Sequence, residues 1–310
     1  DSLFYDMDVS LVDNLTIPLK EKGKFILIIE FWDLNRKNVV SDFVSINNTQ
    51  SFSGDNFLFF VSDSVLLFNS FIPPAQVVDI LYQKPETFSM KAEYYSQAFE
   101  LPPPPFVYVP ESQVPFKVDS VLDVNFINGR AKVNLSPSGF YYFHPVDDRS
   151  QGFILHRYQS GFPFLLQAED LLGPLRFITS SSEFNELAKA NNLKEAIDDF
   201  WVKIAGSQNR ATELIGTFYN RVQEANVYYT SYKPGWMTDR GMVFIAMGPP
   251  HAVYRTNDTE TWKYYENRET IATTFRFVKR KLIFSNNDFE LERSAHYKNA
   301  WYLAVDNWRR

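Results

Sequence analysis

Four histidines, His144, His156, His251 and His296, are the only imidazoles in the chain, and no two stand at the helical or hairpin spacing of a metal site. Cysteine is absent, which removes thiolate nucleophiles, zinc–thiolate sites, iron–sulfur clusters and disulfides together. The sequence also lacks the Gly-x-Ser-x-Gly of a serine nucleophile, the phosphate-cradling P-loop and the dinucleotide Gly-x-Gly-x-x-Gly. His144, Asp147 and Asp148 could offer oxygen and nitrogen ligands to a metal, but His-Pro-Val-Asp-Asp-Arg is also an ordinary polar turn, and the turn is the better reading. Carboxylates are plentiful, yet nothing sets two of them face to face as glycoside hydrolysis requires. The expectation is a protein with no catalytic residue, no bound metal and no cofactor.

One segment concentrates polar and aromatic groups, Gly235-Trp236-Met237-Thr238-Asp239-Arg240-Gly241, followed by Met242-Val243-Phe244-Ile245 and Gly248-Pro249-Pro250. Gly235 and Gly241 permit backbone angles closed to other residues. Trp236 can anchor the loop on the preceding helix, and Asp239 can accept amide hydrogen bonds around Gly241. Met242 to Ile245 reads as a four-residue strand stopped by Gly248 and Pro249, since proline cannot donate to a ladder. The same cluster of Trp, Thr, Asp and Arg could line a cleft; the structural reading outweighs the binding one.

The elements that must position this segment follow from composition and period. Lysine plus arginine total 31 against 37 acidic residues, a net charge of -6, which disfavours a nucleic-acid partner. Aromatic residues make up 17% of the chain, a surplus that suits strands and contact surfaces. No apolar run is long enough to span a membrane as a helix. Tyr5 to Leu11, Phe25 to Phe31, Phe43 to Ile46, Phe57 to Val61, Val65 to Phe68, Val77 to Tyr82 and Phe88 to Tyr95 read as short strands, predicting an immunoglobulin-like β-sandwich over 1–104. The proline run 102–105 then reads as a stiff linker, with an edge-strand terminator inside one larger domain as the alternative.

A small second β-domain is expected over 105–180. Asn128-Gly129 predicts a type I′ hairpin pairing Phe126 with Ala131, Val124 with Val133 and Leu122 with Leu135, and Phe140 to Phe143, Phe153 to Tyr158 and Leu175 to Ile178 supply further strands. At Ser180 the period changes to helical. Ser180 with Glu183, and Asn192 with Glu195, have capping spacing. Apolar stripes at Ile197, Phe200 and Trp201, at Ala211, Phe218, Val222 and Ala225, and at Trp301, Ala304 and Trp308 predict amphipathic helices. Residues 181–310 are therefore expected to form a helical segment and an α+β domain.

Gly-Trp-x-Thr-Asp followed by Arg-Gly-x-Val-Phe-Ile-x-x-Gly-Pro-Pro resembles the signature of the GWxTD-domain proteins, a family found largely in Bacteroidota. Phe218-Tyr219-Asn220-Arg221-Val222, Trp262-Lys263-Tyr264 and Trp308-Arg309 extend the likeness. The resemblance implies an exported cell-envelope protein, periplasmic or outer-membrane associated, with a β-rich N-terminal half and no established catalytic activity to carry over. Gly235, Trp236, Thr238, Asp239, Arg240, Gly241, Gly248 and Pro249 are its motif positions, structural or docking in role. A start at Asp1 suits a trimmed product, with any lipid anchor upstream. The function expected is a non-enzymatic accessory or scaffold subunit whose partners are other envelope or outer-membrane proteins; an envelope glycan-binding or glycan-processing protein is the alternative.

Overall fold

The computed structural model describes residues 18–19, 21–61, 65–67, 69–73, 77–96, 99–108, 116–265 and 271–309. The strand expected over Tyr5 to Leu11 lies outside them. The described residues form several antiparallel sheets together with six α-helices, a mixed β and α+β protein. β1 (Lys24–Asp33) and β2 (Asn38–Asn47) make a separate two-stranded ribbon. β3 (Phe57–Val61), β4 (Val65–Leu67), β5 (Val77–Tyr82), β6 (Phe88–Tyr95), β7 (Ser120–Phe126), β8 (Arg130–Asn134), β9 (Gly139–Pro145) and β10 (Phe153–Arg157) follow. They build two four-stranded sheets, ordered β4-β3-β5-β8 and β10-β9-β6-β7.

The two sheets face each other across one core. Phe57 and Ile80 of the first meet Phe126, Phe143 and Phe153 of the second. Because β5 pairs with β8, and β6 with both β7 and β9, strands from both sides of the proline run share both sheets. The expected division at 104/105 therefore cuts through a single sandwich. The proline run is the β6–β7 connection rather than a linker between domains. It leaves the sandwich and lies along the C-terminal half, where Arg293 donates to Pro103 O at 3.3 Å and Ser294 N donates to Pro105 O at 3.1 Å.

The Asn128-Gly129 turn forms with positive φ at both residues, 52° and 76°. Its flanking strands part at once, bridged only at Ile127 and Arg130, with β7 joining one sheet and β8 the other. Of the six residues that the alternation places inward, Val124, Phe126, Ala131, Val133 and Leu135 are buried in the sandwich core, whereas Leu122 is exposed. The buried five meet across the core instead of along a ladder. β8 pairs with β5 and β7 with β6, and the turn is bonded to the end of β5 through Tyr82 N to Gly129 O and to the β5–β6 connection through Gly129 N to Glu86 O. A Cβ on Gly129 would lie 2.5 Å from Lys84 O. Gly129→Val is expected to cost about 1–3 kcal/mol through strain and clash, read as a melting temperature about 2 °C or more below wild type; unchanged melting would refute the assignment.

The C-terminal half contains α1 (Ala168–Leu175), α2 (Ser181–Ala188), α3 (Leu193–Ala205), α4 (Gln208–Tyr229), α5 (Asp239–Met247), a sheet of β11 (Ala252–Arg255), β12 (Thr259–Tyr265), β13 (Ile271–Lys279) and β14 (Phe289–Leu291), and α6 (Tyr297–Trp308). Both expected caps are present, with Ser180 Oγ accepting from Glu183 N and Asn192 Oδ1 from Glu195 N. The strand expected at Leu175 to Ile178 is instead the end of α1 and the turns after it. Its apolar residues Leu175, Phe177 and Ile178 do enter the helical core, which is why a four-residue window read as a strand.

Sandwich and C-terminal half are closely packed. Tyr95, Phe140 and Tyr142 on the outer face of the second sheet share a buried cluster with Tyr232 and Phe284, so β9 is buried on both faces. His156 lies between Ser70 Oγ, 2.8 Å from Nδ1, and Ser231 O, 2.5 Å from Nε2; burial pushes its pKa down to about 4, so it joins the halves as a neutral ring.

Candidate functional site

The signature occupies a short 3-10 turn, Gly235–Met237, and α5. α5 replaces the strand expected at Met242 to Ile245. Asp239 through Ala246 are all buried, so the helix shows no polar face, and a four-residue apolar run carries no period that separates helix from strand. Thr238 starts it: its hydroxyl donates to Gly235 O at 2.7 Å and accepts from Gly241 N at 3.0 Å, an N-cap bond. The glycines serve close approach and not special angles, since neither has positive φ. A Cβ on Gly235 would stand 1.8 Å from Ala225 O, and one on Gly241 would stand 1.9 Å from Gly235 O. Trp236 packs on α1, its ring covering Gly173, while its backbone N–H donates to Asn226 Oδ1 of α4 at 3.2 Å.

The two charged residues of the signature are spent inside the domain. Asp239 accepts from Leu291 N at 2.7 Å and forms a two-armed pair with Arg293, with contacts of 2.5 and 3.0 Å. It thus ties α5 to β14 and, through Arg293, to the proline run. It does not reach the amides around Gly241, whose N–H goes to Thr238. Arg240 donates to Glu260 Oε2 at 2.9 Å and to Asn287 O at 2.8 Å, and its guanidinium lies between the rings of Phe289 and Tyr229, 4.4 and 5.1 Å from their centroids. Burial lowers the Arg240 pKa, yet a guanidinium stays charged in proteins. Burial would raise Glu260, but Arg240 and Arg255 outweigh it and hold the carboxyl below its ordinary range. Around this pair, burial raises the pKa of Asp288 and lowers that of Lys233.

The far end of α5 is closed with equal care. Gly248, at φ 88° and ψ -172°, donates to Phe244 O at 2.8 Å, a positive-φ extended stop that a Cβ would strain. Arg221 donates to Ile245 O and Trp308 Nε1 donates to Ala246 O, so with the Gly248 bond three of the last four carbonyls of the helix have partners. Arg221 also stacks on Trp308, 4.8 Å from the ring centroid, and brings a cation to the negative end of the helix dipole. Tyr264 OH donates to Gly248 O at 2.8 Å. Gly248 and Pro249 therefore end a helix; Pro249 itself is exposed.

A family model for the GWxTD domain matches residues 139–310, more than half of the chain. The chain belongs to the GWxTD-domain family. A search of the curated proteins finds no match. The match begins at Gly139, the first residue of β9, so the GWxTD domain reaches into the sandwich sheet that packs against its helical part. Seven of the eight motif positions converge on α5 and the turn before it, and Pro249 stands outside.

The GWxTD residues that the sequence reading did not single out are Asn226, Glu260, Asn287 and Arg293. Two had signals. Asn226 falls in the buried stripe of α4, and Glu260 takes the inward side of β12 with Trp262 and Tyr264; a polar group in an apolar series must have a partner. Arg293 sits in irregular chain after β14, where no period exists to place it. The four histidines are apart, each with its own hydrogen-bond partner. Asp148 bonds Ser150 and Gln151 in the polar turn expected there. Among the described residues no group of three or more His, Asp or Glu is placed to hold a metal ion, and no helix is long and apolar enough to cross a membrane.

Proposed function

We propose that this GWxTD protein is a non-enzymatic docking or scaffold subunit of a bacterial cell-envelope complex, acting outside the cytoplasm on other envelope or outer-membrane proteins. The observation that carries the reading is an apolar patch where the proline run meets α6. Phe106 packs on Tyr302, ring centroids 5.5 Å apart, and around this pair Tyr108 is 83% exposed, with Val107, Tyr302 and Leu303 also open to solvent. Contiguous exposed apolar surface of this kind marks contact sites, and tyrosine is enriched among the residues that carry binding energy. Asp239 and Arg240, the two charged residues of the signature, are buried and hold internal partners. A finer reading of the sandwich accompanies this one. Leaving β4 aside, its sheets join the first, second and fifth strands against the fourth, third, sixth and seventh, an order that supports an immunoglobulin-type module.

The test compares the full chain with a Tyr108→Glu, Leu303→Glu variant as bait on detergent-solubilised membranes. Both substituted side chains are exposed, so melting is expected to be unchanged, while recovery of a specific envelope protein drops about tenfold or more. Equal recovery by both baits, or retention of peptidoglycan fragments with no protein, would overturn the docking reading in favour of glycan binding.

A further inference from the structure

Among the described residues, β1 and β2 pair only with each other. Their ten-residue register places Phe25, Leu27 and Phe31 on one face with Ile46, Val44 and Val40, and Ile26, Ile28 and Trp32 on the other with Phe43 and Val39. Both faces are thus apolar. Ile26, Ile28, Phe31 and Trp32 are each more than half exposed, and Leu34 in the turn is 83% exposed. A two-stranded ribbon is marginal in water and gains stability from at least one further strand, and a long apolar edge is a template for pairing.

The geometry fixes which groups that edge presents. Asn48 N–H donates to Gly23 O at 2.8 Å, and with the unbroken register that follows, the odd-numbered residues of β1 bond toward β2. Lys24, Ile26, Ile28 and Glu30 therefore turn their N–H and C=O groups outward. We propose that this edge pairs with the same edge of a second copy of the chain, antiparallel about a two-fold axis through Leu27, making a four-stranded sheet. A two-fold axis normal to a sheet keeps each face on its own side, so opposed residue numbers must share parity. The register centred on Leu27 sets Leu27 against Leu27, Ile26 against Ile28, Phe25 against Ile29 and Lys24 against Glu30, the last pair occurring twice by symmetry. Moving the centre by one residue sets Lys24 against Ile28 or Glu30 against Ile26, with a charge facing an aliphatic chain. Within Lys24–Asp33 the strand is complementary in charge to itself in this register alone, which singles out a second copy as the occupant.

Sedimentation velocity of the full chain at about 50 µM is expected to show a dimer. Glu30→Lys sets a second cation directly opposite Lys24 and should weaken association about tenfold or more, since like charges directly opposed in a sheet repel; the swap Lys24→Glu, Glu30→Lys should restore it. The absence of cysteine makes a second measurement clean. Leu27 faces its symmetry mate in a non-hydrogen-bonded pair, where side chains are closest, so Leu27→Cys should give a disulfide-linked dimer on mild oxidation and Ile29→Cys, opposite Phe25, should not. A monomer at that concentration, with another strand or another protein left to cover β1, would overturn the proposal, as would a dimer indifferent to charge reversal or linking equally through position 29.

Discussion

Gly241→Ala is expected to destabilise the GWxTD domain by about 3 kcal/mol or more, a penalty at the upper end for one added methyl group. The methyl would stand 1.9 Å from Gly235 O, 2.8 Å from Gly235 C and 3.0 Å from Trp236 Cα. All three are backbone atoms, which cannot rotate away as the tip of a side chain can. The Gly235–Met237 turn would have to move off α5, and Thr238 cannot then both cap Gly241 N and bond Gly235 O. Trp236 would in turn lift from α1. Gly235→Ala, 1.8 Å from Ala225 O, should fail in the same way against α4. The control lies in α4 itself: Gly216 has open space around it, and Gly216→Ala should stabilise by about 0.5–1 kcal/mol because alanine suits a helix interior better. Urea midpoints of the variants settle the matter. If Gly241→Ala and Gly216→Ala shift the midpoint in the same direction, close backbone packing is not what the signature glycines provide.

The contrast between these glycines marks where the sequence could be read and where it could not. α3, α4 and α6 were legible because one side of each is wet, so Ile197, Phe200 and Trp201, or Trp301, Ala304 and Trp308, stand out at helical spacing. α5 was not, because all its sides are buried and its period vanishes into Met242-Val243-Phe244-Ile245. Strand positions were readable for β3, β5, β6, β9 and β10, and so were the inward residues around Asn128-Gly129 except Leu122, which is exposed. Pairing partners were not, since alternation states which face a side chain takes and is silent on which strand lies beside it. The proline run shows the same limit. Four consecutive prolines dictate an extended, stiff segment, whereas its docking through Pro103 O and Pro105 O depends on Arg293 and Ser294, nearly two hundred residues away. At the site, the identity of the signature residues was legible and their partners were not: Asp239 was expected to serve Gly241, which lies two residues on, and serves Leu291 and Arg293 instead.

That reassignment changes the size of the effect expected at Asp239 and gives it a distinctive test. A carboxylate that only accepted loop amides would cost about 1–3 kcal/mol to remove. Asp239→Ala does more, because it strands the Arg293 guanidinium, whose side chain is 8% exposed, without its counter-charge, and leaves Leu291 N–H without an acceptor. Breaking a buried pair from one side typically costs about 3–5 kcal/mol, and that is the loss expected in urea unfolding. Removing the stranded charge should return part of it. Asp239→Ala with Arg293→Met is therefore expected to be more stable than Asp239→Ala alone, since the buried cation is gone and methionine fills its volume. The two losses are then far from additive, as they must be for groups in direct contact. Proteolysis supplies an independent reading. Arg293 also donates to Pro103 O, so a variant without Asp239 loses the partner that orients Arg293 and should expose the proline run to cleavage sooner than Gly129→Val, whose damage lies at the other end of the sandwich. Additive losses in the double variant, or a proline run equally resistant in both, would mean that Asp239 and Arg293 do not work as the pin between α5, β14 and the β6–β7 connection.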